Sequence, residues 1–279
     1  MNQKKENLTF PRILAVDLDG TLLRSDHTVS DRTVKAFREL KKRDCVPVIC
    51  TGRSYEAVIG IKDRLGLDTP VICYNGAMIC DGKDGTILHE WRLPPDITRE
   101  TLEKARERDI HFQGFSLGQL YFEKRRTETE YYEAMSGLTG HVVNFDDWDS
   151  MEFTKAQLIG QPDRDSKEWP ELKTFQAELK ERFGDRLYTA FSTPFYLEMI
   201  NGDSSKGAAL GQIARDLYAD PAQVAAFGDG FNDMEMLEFA GISVAMANAP
   251  EEIRKKTAFT TLGNNEDGVA DFIEKNFLR

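Results

Sequence analysis

Residues 13–22 read I-L-A-V-D-L-D-G-T-L, an apolar run that ends in two carboxylates, Asp17 and Asp19, one residue apart. Side chains alternate along a strand, so both acids lean toward one spot if the extended geometry persists to the strand end. Like charges held that close repel, which is tolerated only with a cation, a shared proton or full solvation. Gly20 lets the backbone turn sharply, and Thr21 adds a hydroxyl and an amide beside the acids. The pattern points to a metal-assisted site for phosphate chemistry. The same letters also fit a buried strand that ends in an ordinary Asp-Gly turn, so the choice rests on what the chain places at similar positions elsewhere.

Working outward, apolar runs at Ile13–Val16, Cys45–Cys50 and Pro70–Tyr74 alternate with helical patterns over Ser30–Arg43 and Ser54–Leu65. The rhythm returns near the end: helix over Lys206–Leu217, strand over Gln223–Phe227, short helix over Met234–Ala240, strand over Ile242–Ala245, and helices over Glu251–Thr257 and Val269–Phe277. Alternation of this kind predicts βαβ units on a parallel sheet, an α/β domain built from both ends of the chain. The middle reads differently. Charged helical patterns at Thr98–Arg108, Thr127–Met135 and Lys167–Phe183 lie among strand candidates at Leu120–Glu123, Phe153–Gly160, Arg186–Phe191 and Tyr196–Ile200. Ser192, Thr193 and Pro194 between the last two suggest a hairpin, hence an antiparallel sheet. The expected division is therefore a core at 1–85 and 201–279, with an inserted α+β domain at 86–200 and Gly- and Asp-bearing joins at Asp81–Gly85 and Asn201–Ser204.

Three polar clusters follow apolar runs of the core: Thr51-Gly52-Arg53, Asn75-Gly76-Ala77, and Gly228-Asp229-Gly230-Phe231-Asn232-Asp233. On an open parallel sheet such positions lie at the carboxyl edge, where α/β proteins bind ligands, and all would share that edge with Asp17 and Asp19. A fourth cluster, Ser204-Ser205-Lys206-Gly207, sits at a helix start, where Ser caps and free amides favour an anion. Taken singly, each has a plain alternative: a helix start, a solvated lysine, an acidic capping turn, an Asn-Gly turn. Their common placement at strand ends is what accident does not explain.

Composition narrows the field. With 41% apolar and 30% charged residues the chain is of globular type, and 36 basic against 47 acidic side chains leave a net charge of -11. That sign disfavours nonspecific attraction to nucleic acid or an anionic membrane, so a phosphorylated ligand needs a local basic pocket. The first ten residues lack the apolar core of a signal peptide and no stretch is apolar for long enough to span a bilayer, from which a cytoplasmic location is expected. Cys45, Cys50, Cys73 and Cys80 form no C-x-x-C pair and read as buried strand thiols. His27, His89, His111 and His141 are scattered without zinc-ligand spacing.

D-L-D-G-T, the Thr of T-G-R, the Lys of S-S-K-G and G-D-G-F-N-D, in that order, resemble the four motifs of the haloacid-dehalogenase-like hydrolases. Y-N-G-A, the insert between the second and third motifs, V-A-M-A-N-A and E-D-G-V-A are similar to the Cof-type sugar-phosphatase branch. The resemblance covers about Ile13–Cys80 and Ser204–Phe277 and implies a Rossmann-like three-layer core with a central parallel sheet and an inserted cap that acts as a lid. It implies that Asp17 is the nucleophile and Asp19 the general acid and base. It implies Mg2+ held by Asp17, the Asp19 carbonyl and Asp229, with Asp233 at the periphery. Thr51 and Lys206 would hold phosphoryl oxygens, with Thr21, Gly52, Arg53, Asn75 and Asn232 near phosphate or substrate. The implied activity is hydrolysis of a small phosphorylated metabolite, a sugar phosphate, with no nucleic-acid or membrane partner. A phosphomutase of the phosphomannomutase type and a non-catalytic sugar-phosphate sensor are the alternatives. Whether the chain is a monomer or a homodimer is not fixed by these residues.

Overall fold

The computed structural model describes residues 8–160, 170–193 and 195–278. The chain forms two compact units: the part up to His89 joins the part from Ser205 onward, and Glu90–Ser204 forms the other. In the first unit β1 (Ile13–Val16), α1 (Asp31–Lys42), β2 (Val46–Cys50), α2 (Ile59–Leu65), β3 (Val71–Cys73), β4 (Met78–Cys80) and β5 (Ile87–Glu90) follow in order. The second unit holds α3 (Pro95–Glu107), β6 (His111–Ser116), β7 (Gln119–Phe122), α4 (Thr127–Ser136), β8 (Gly140–Val142), β9 (Lys155–Ile159), α5 (Pro170–Phe183), β10 (Leu187–Thr193) and β11 (Tyr196–Asn201). The chain then returns to the first unit with α6 (Lys206–Asp216), β12 (Val224–Gly228), α7 (Met234–Phe239), β13 (Ile242–Ala245), α8 (Glu251–Lys256), β14 (Phe259–Thr260) and α9 (Gly268–Asn276).

The first unit is built on an eight-stranded sheet of order β14-β13-β12-β1-β2-β3-β4-β5. From β14 to β3 every neighbouring pair is parallel. Helix pairs α1 with α9 and α6 with α7 flank it. Central strands of such a sheet are covered on both faces, which is why β1 and β12 are buried at every residue. Ser30 caps α1, its hydroxyl accepting from the Thr33 amide, and Val34, Phe37 and Leu40 bury the helix face.

Beyond β3 the sheet departs from the sequence expectation. The expected core continues to residue 85 with no strand after Tyr74; the chain instead doubles back as β4, antiparallel to β3, and β5 extends the sheet to Glu90. The reversal is made by Tyr74, Asn75 and Gly76, all with positive φ (50°, 56° and 101°). A Cβ on Gly76 would lie 2.1 Å from the Ser205 carbonyl oxygen, so only glycine lets this turn press against the start of α6.

The second unit carries a six-stranded sheet of order β10-β11-β9-β6-β7-β8. Its pairs are antiparallel except β7 with β8, which run parallel. The hairpin expected around residues 192–194 joins β10 to β11, with Pro194 outside the described residues, as is Lys167, the expected start of α5. Strands β6 and β8 were not expected, because H-F-Q-G-F-S mixes polar and apolar residues on both faces. Its polar face stays buried by pairing: Gln113 donates to Gln157 (2.7 Å), and Lys155 on β9 pairs with Glu198 on β11 (2.9 Å). The opposite face joins α3 and α5 in a core that includes Leu102, Phe112, Phe153, Leu158, Phe175 and Leu197.

Gly76→Ala should cost about 1–3 kcal/mol, the scale of a backbone forced out of a special conformation. Chemical denaturation of both proteins measures it, and equal stability would contradict the close approach described.

Candidate active site

Four neighbouring parallel strands, β12, β1, β2 and β3, deliver the motif residues at their carboxyl ends. Each connection is anchored by main-chain bonds that prolong the sheet: the Asp17 amide donates to Phe227 O (3.0 Å) and the Thr51 amide to Ile72 O (2.9 Å). The Asn75 amide donates to Thr51 O (2.9 Å) and the Tyr74 amide to Arg53 O (3.0 Å), so the strained turn braces the T-G-R loop. The polar atoms thus sit on a rigid edge.

At the centre is Lys206, fully buried at the first position of α6. Its Nζ donates to Asp17 Oδ1 and to Asp233 Oδ1, each at 2.6 Å. Burial by itself would lower the Lys206 pKa, but the two carboxylates outweigh it and hold the ammonium above its ordinary range. Asp233 uses its other oxygen to accept from the amides of Asp229 and Gly230 (2.9 Å each), which shapes the loop after β12. Asp229 accepts from the Thr21 hydroxyl (2.8 Å). A Cβ on Gly20, where φ is +81°, would lie 2.3 Å from Asp229 Oδ2, so a bare Cα there lets the two loops close up.

Asp17, Asp229 and Asp233 each place a carboxylate oxygen within 4.8 Å of the others. With all three ionised, three carboxylates against one ammonium leave two negative charges in a largely buried space. Burial pushes the Asp17 pKa up from 3.8 to about 7; Lys206 pulls it down, and the charges of Asp233 and Asp229 push the same way as burial. Burial likewise raises Asp229, with the Asp233 charge adding and the Thr21 hydrogen bond opposing. An all-oxygen donor set with an excess charge of two fits a hard divalent cation.

Asp19 departs from the shared-spot expectation. The strand stops at Val16, and the Leu22 amide turns back to Asp17 O (3.2 Å), so the alternation does not carry through. The Asp19 carboxylate, 49% exposed, is gripped by Arg53 through Nε to Oδ2 (2.8 Å) and a short contact from the second guanidinium nitrogen to Oδ1. It lies outside the three-carboxylate cluster, and the ligand expected from this residue was its carbonyl. Thr51 is buried, its hydroxyl accepting from the Arg53 amide (3.1 Å). Asn232 donates to Asn75 Oδ1 (3.0 Å), and a Cβ on Gly52 would touch that same oxygen at 3.0 Å. The expected residues fall into three linked groups: Asp17, Lys206, Asp233, Asp229 and Thr21; Asp19 and Arg53; and Thr51, Gly52, Asn75 and Asn232.

Sequence reasoning missed Asn248. It donates to Gly20 O (2.8 Å) and to Asp229 Oδ2 (3.2 Å). Its signal lay in V-A-M-A-N-A, a segment read only as a mark of resemblance. The four cysteines are free thiols and buried. No helix among the described residues is long and apolar enough to cross a membrane.

The sequence matches the haloacid dehalogenase-like hydrolase family over residues 14–273. It is 29% identical over 274 residues to the 5-amino-6-(5-phospho-D-ribitylamino)uracil phosphatase YitU of Bacillus subtilis, covering 96% of this chain and 98% of that protein. The pyridoxal phosphate phosphatase YbhA of Escherichia coli is 28% identical over 284 residues, covering 96% and 99%. The crystal structure of TM0651 from Thermotoga maritima superposes with a TM-score of 0.82 at 29% identity, over 96% of this chain and 97% of that one.

In metal-free buffer, Asp17 binds its proton more tightly folded than unfolded, so its contribution to stability is present below about pH 4 and is lost as pH rises to about 7. The stability of Asp17→Asn relative to the parent should therefore rise across that window and level off above it. Thermal melts of both proteins with a chelator present measure this; a difference independent of pH would contradict the buried, charge-crowded Asp17.

Proposed function

The chain belongs to the haloacid dehalogenase-like hydrolases and is a phosphoric monoester hydrolase; from that premise we propose a magnesium-dependent phosphatase of a small phosphorylated metabolite, a sugar phosphate, acting through an aspartyl phosphate on Asp17. The observation that carries the reading is the buried Lys206 bridge between Asp17 and Asp233, with Asp229 alongside. It holds a carboxylate ready for attack in a place that structure alone would fill more cheaply with apolar side chains.

Asp17 and Asp229 would hold the ion together with the Asp19 carbonyl, and Asp233 supports the set through the loop it shapes. When bound, Mg2+ supplies positive charge that offsets repulsion between a carboxylate and a phosphate dianion. Lys206 ties Asp17 down by Oδ1 and so fixes the direction in which the carboxylate faces phosphorus. A new bond from the Asp17 oxygen to phosphorus replaces the bond to the substrate alkoxide, and Asp19 gives that alkoxide its proton. Asp19 then takes a proton from water as the water oxygen attacks phosphorus, which releases phosphate and restores Asp17. Arg53 must free one Asp19 oxygen for this, and the half-exposed position of the pair allows it. The Thr51 hydroxyl accepts from a backbone amide and keeps its own proton for a phosphoryl oxygen.

Support for a small organic phosphate comes from the names of the two relatives, one of them a phosphoribityl compound's phosphatase. At a net charge of -11 the molecule as a whole does not attract anions, so recognition falls to Lys206, Arg53 and the cation. A screen of phosphorylated metabolites with magnesium present, read by phosphate release, should return sugar phosphates among its substrates. With p-nitrophenyl phosphate, Asp17→Asn should lower turnover by more than about 10⁴-fold, the scale on which a nucleophile acting with its partners fails. A chelator should stop the parent enzyme and magnesium restore it. Turnover by the variant, or full activity without metal, would refute the mechanism.

A further inference from the structure

Two segments of the core take no part in the chemistry above: V-A-M-A-N-A at residues 244–249 and the run Asn264–Gly268. Both converge on the acidic loop through Asn248. Its carboxamide uses both polar ends: Nδ2 donates to Gly20 O (2.8 Å) and Asp229 Oδ2 (3.2 Å), while Oδ1 accepts from the Asn264 amide (3.1 Å). Two acceptors on one side and a donor on the other leave one sensible orientation for the amide.

The consequence for Asp229 is specific. Each of its oxygens has a neutral donor, the Thr21 hydroxyl on Oδ1 and the Asn248 amide on Oδ2. Asp17 and Asp233, by contrast, share the ammonium of Lys206. Neutral donors orient a carboxylate without cancelling its charge, which is what outer partners of metal ligands do. Asn248 is in turn held from behind. Asn264 donates to Leu23 O (2.9 Å), Asn265 and Ser25 exchange two hydrogen bonds (3.0 Å each), and Asp267 accepts both arms of Arg24 (3.0 and 2.8 Å). Three consecutive residues after the D-L-D-G-T loop are thereby pinned to the segment that fixes Asn248.

We propose that Asn248 is a positioning residue for the divalent cation: its amide locks the Asp229 carboxylate against the Gly20 carbonyl, and so sets metal affinity without touching substrate. The inference rests on the metal-dependent reading above. Loss of an outer partner of this kind weakens metal binding by about 10–100-fold. Asn248 is exposed, so its truncation opens no cavity.

The test is calorimetric titration of the full chain with Mg2+, for the parent, Asn248→Ala and Asn248→Leu. The leucine keeps the shape of the amide without its donors. Both variants should bind Mg2+ about 10–100-fold more weakly, with melting curves in chelator like the parent's. The Mg2+ concentration that half-saturates p-nitrophenyl phosphate turnover should rise in the same proportion, and kcat at saturating Mg2+ should return close to the parent's. If the parent binds Mg2+ and the variants bind it equally well, the role of Asn248 is overturned while the metal-dependent reading stands. If the parent binds no Mg2+, both fall. A kcat depressed at every Mg2+ concentration with unchanged affinity, or two variants that do not fold, would make Asn248 a structural residue and overturn the proposal.

Discussion

One buried ammonium against three carboxylates governs this molecule. Lys206 has no exposure to water, and Nζ sits 2.6 Å from both Asp17 and Asp233. Removing charge from water costs several kcal/mol per ion, and a buried pair commonly returns no more than that cost. The cluster also carries two uncompensated negative charges once Asp229 is counted. Such an arrangement is a poor way to stabilise a fold and suits the cation site and the Asp17 nucleophile proposed above, in keeping with the tendency of strongly perturbed acids to gather at functional sites.

The fold exists around this cluster as a device for bringing distant residues together. Asp17 is separated from Lys206 and Asp229 by most of the chain, yet β1 and β12 are adjacent and parallel, so their ends arrive side by side. The left-handed turn of Tyr74, Asn75 and Gly76 does two tasks at once. It presses against Ser205, just before the helix that carries Lys206, and its amides hold the T-G-R loop. A residue with a side chain at Gly76 or Gly20 would separate these parts, which explains glycine at both positions better than flexibility does.

Much of this was legible in the amino-acid order, for a physical reason. Apolar runs of four or five residues that end in acids, Thr-Gly or Gly-Asp are local signals, and an open parallel sheet sends every strand end to one edge, so β1, β2, β3 and β12 and their cargo could be read together. What escaped depended on geometry outside the local pattern. Strand β6 mixes His111, Gln113 and Phe115 on one face, and only partners on β9 and β11 make that tolerable in a buried place. The reversal into β4 hinges on two positive-φ residues that are not glycine, Tyr74 and Asn75, which propensity does not foretell. The grip of Arg53 on Asp19 and the bridge made by Asn248 span 34 and 19 or more residues, and neither has a spacing rule. The two aspartates one residue apart look equivalent in sequence; the end of the strand at Val16 gives one a buried lysine and leaves the other half-exposed against a partly buried arginine.

The central claim is that Asp17 and Asp229 share one divalent ion beside Lys206. It is tested most directly by diffraction from crystals grown with Mn2+, locating the metal by its anomalous signal. The account predicts a single strong peak within ligand distance of carboxylate oxygens of both Asp17 and Asp229. A peak elsewhere, or none at saturating Mn2+ with those carboxylates ordered, would contradict it.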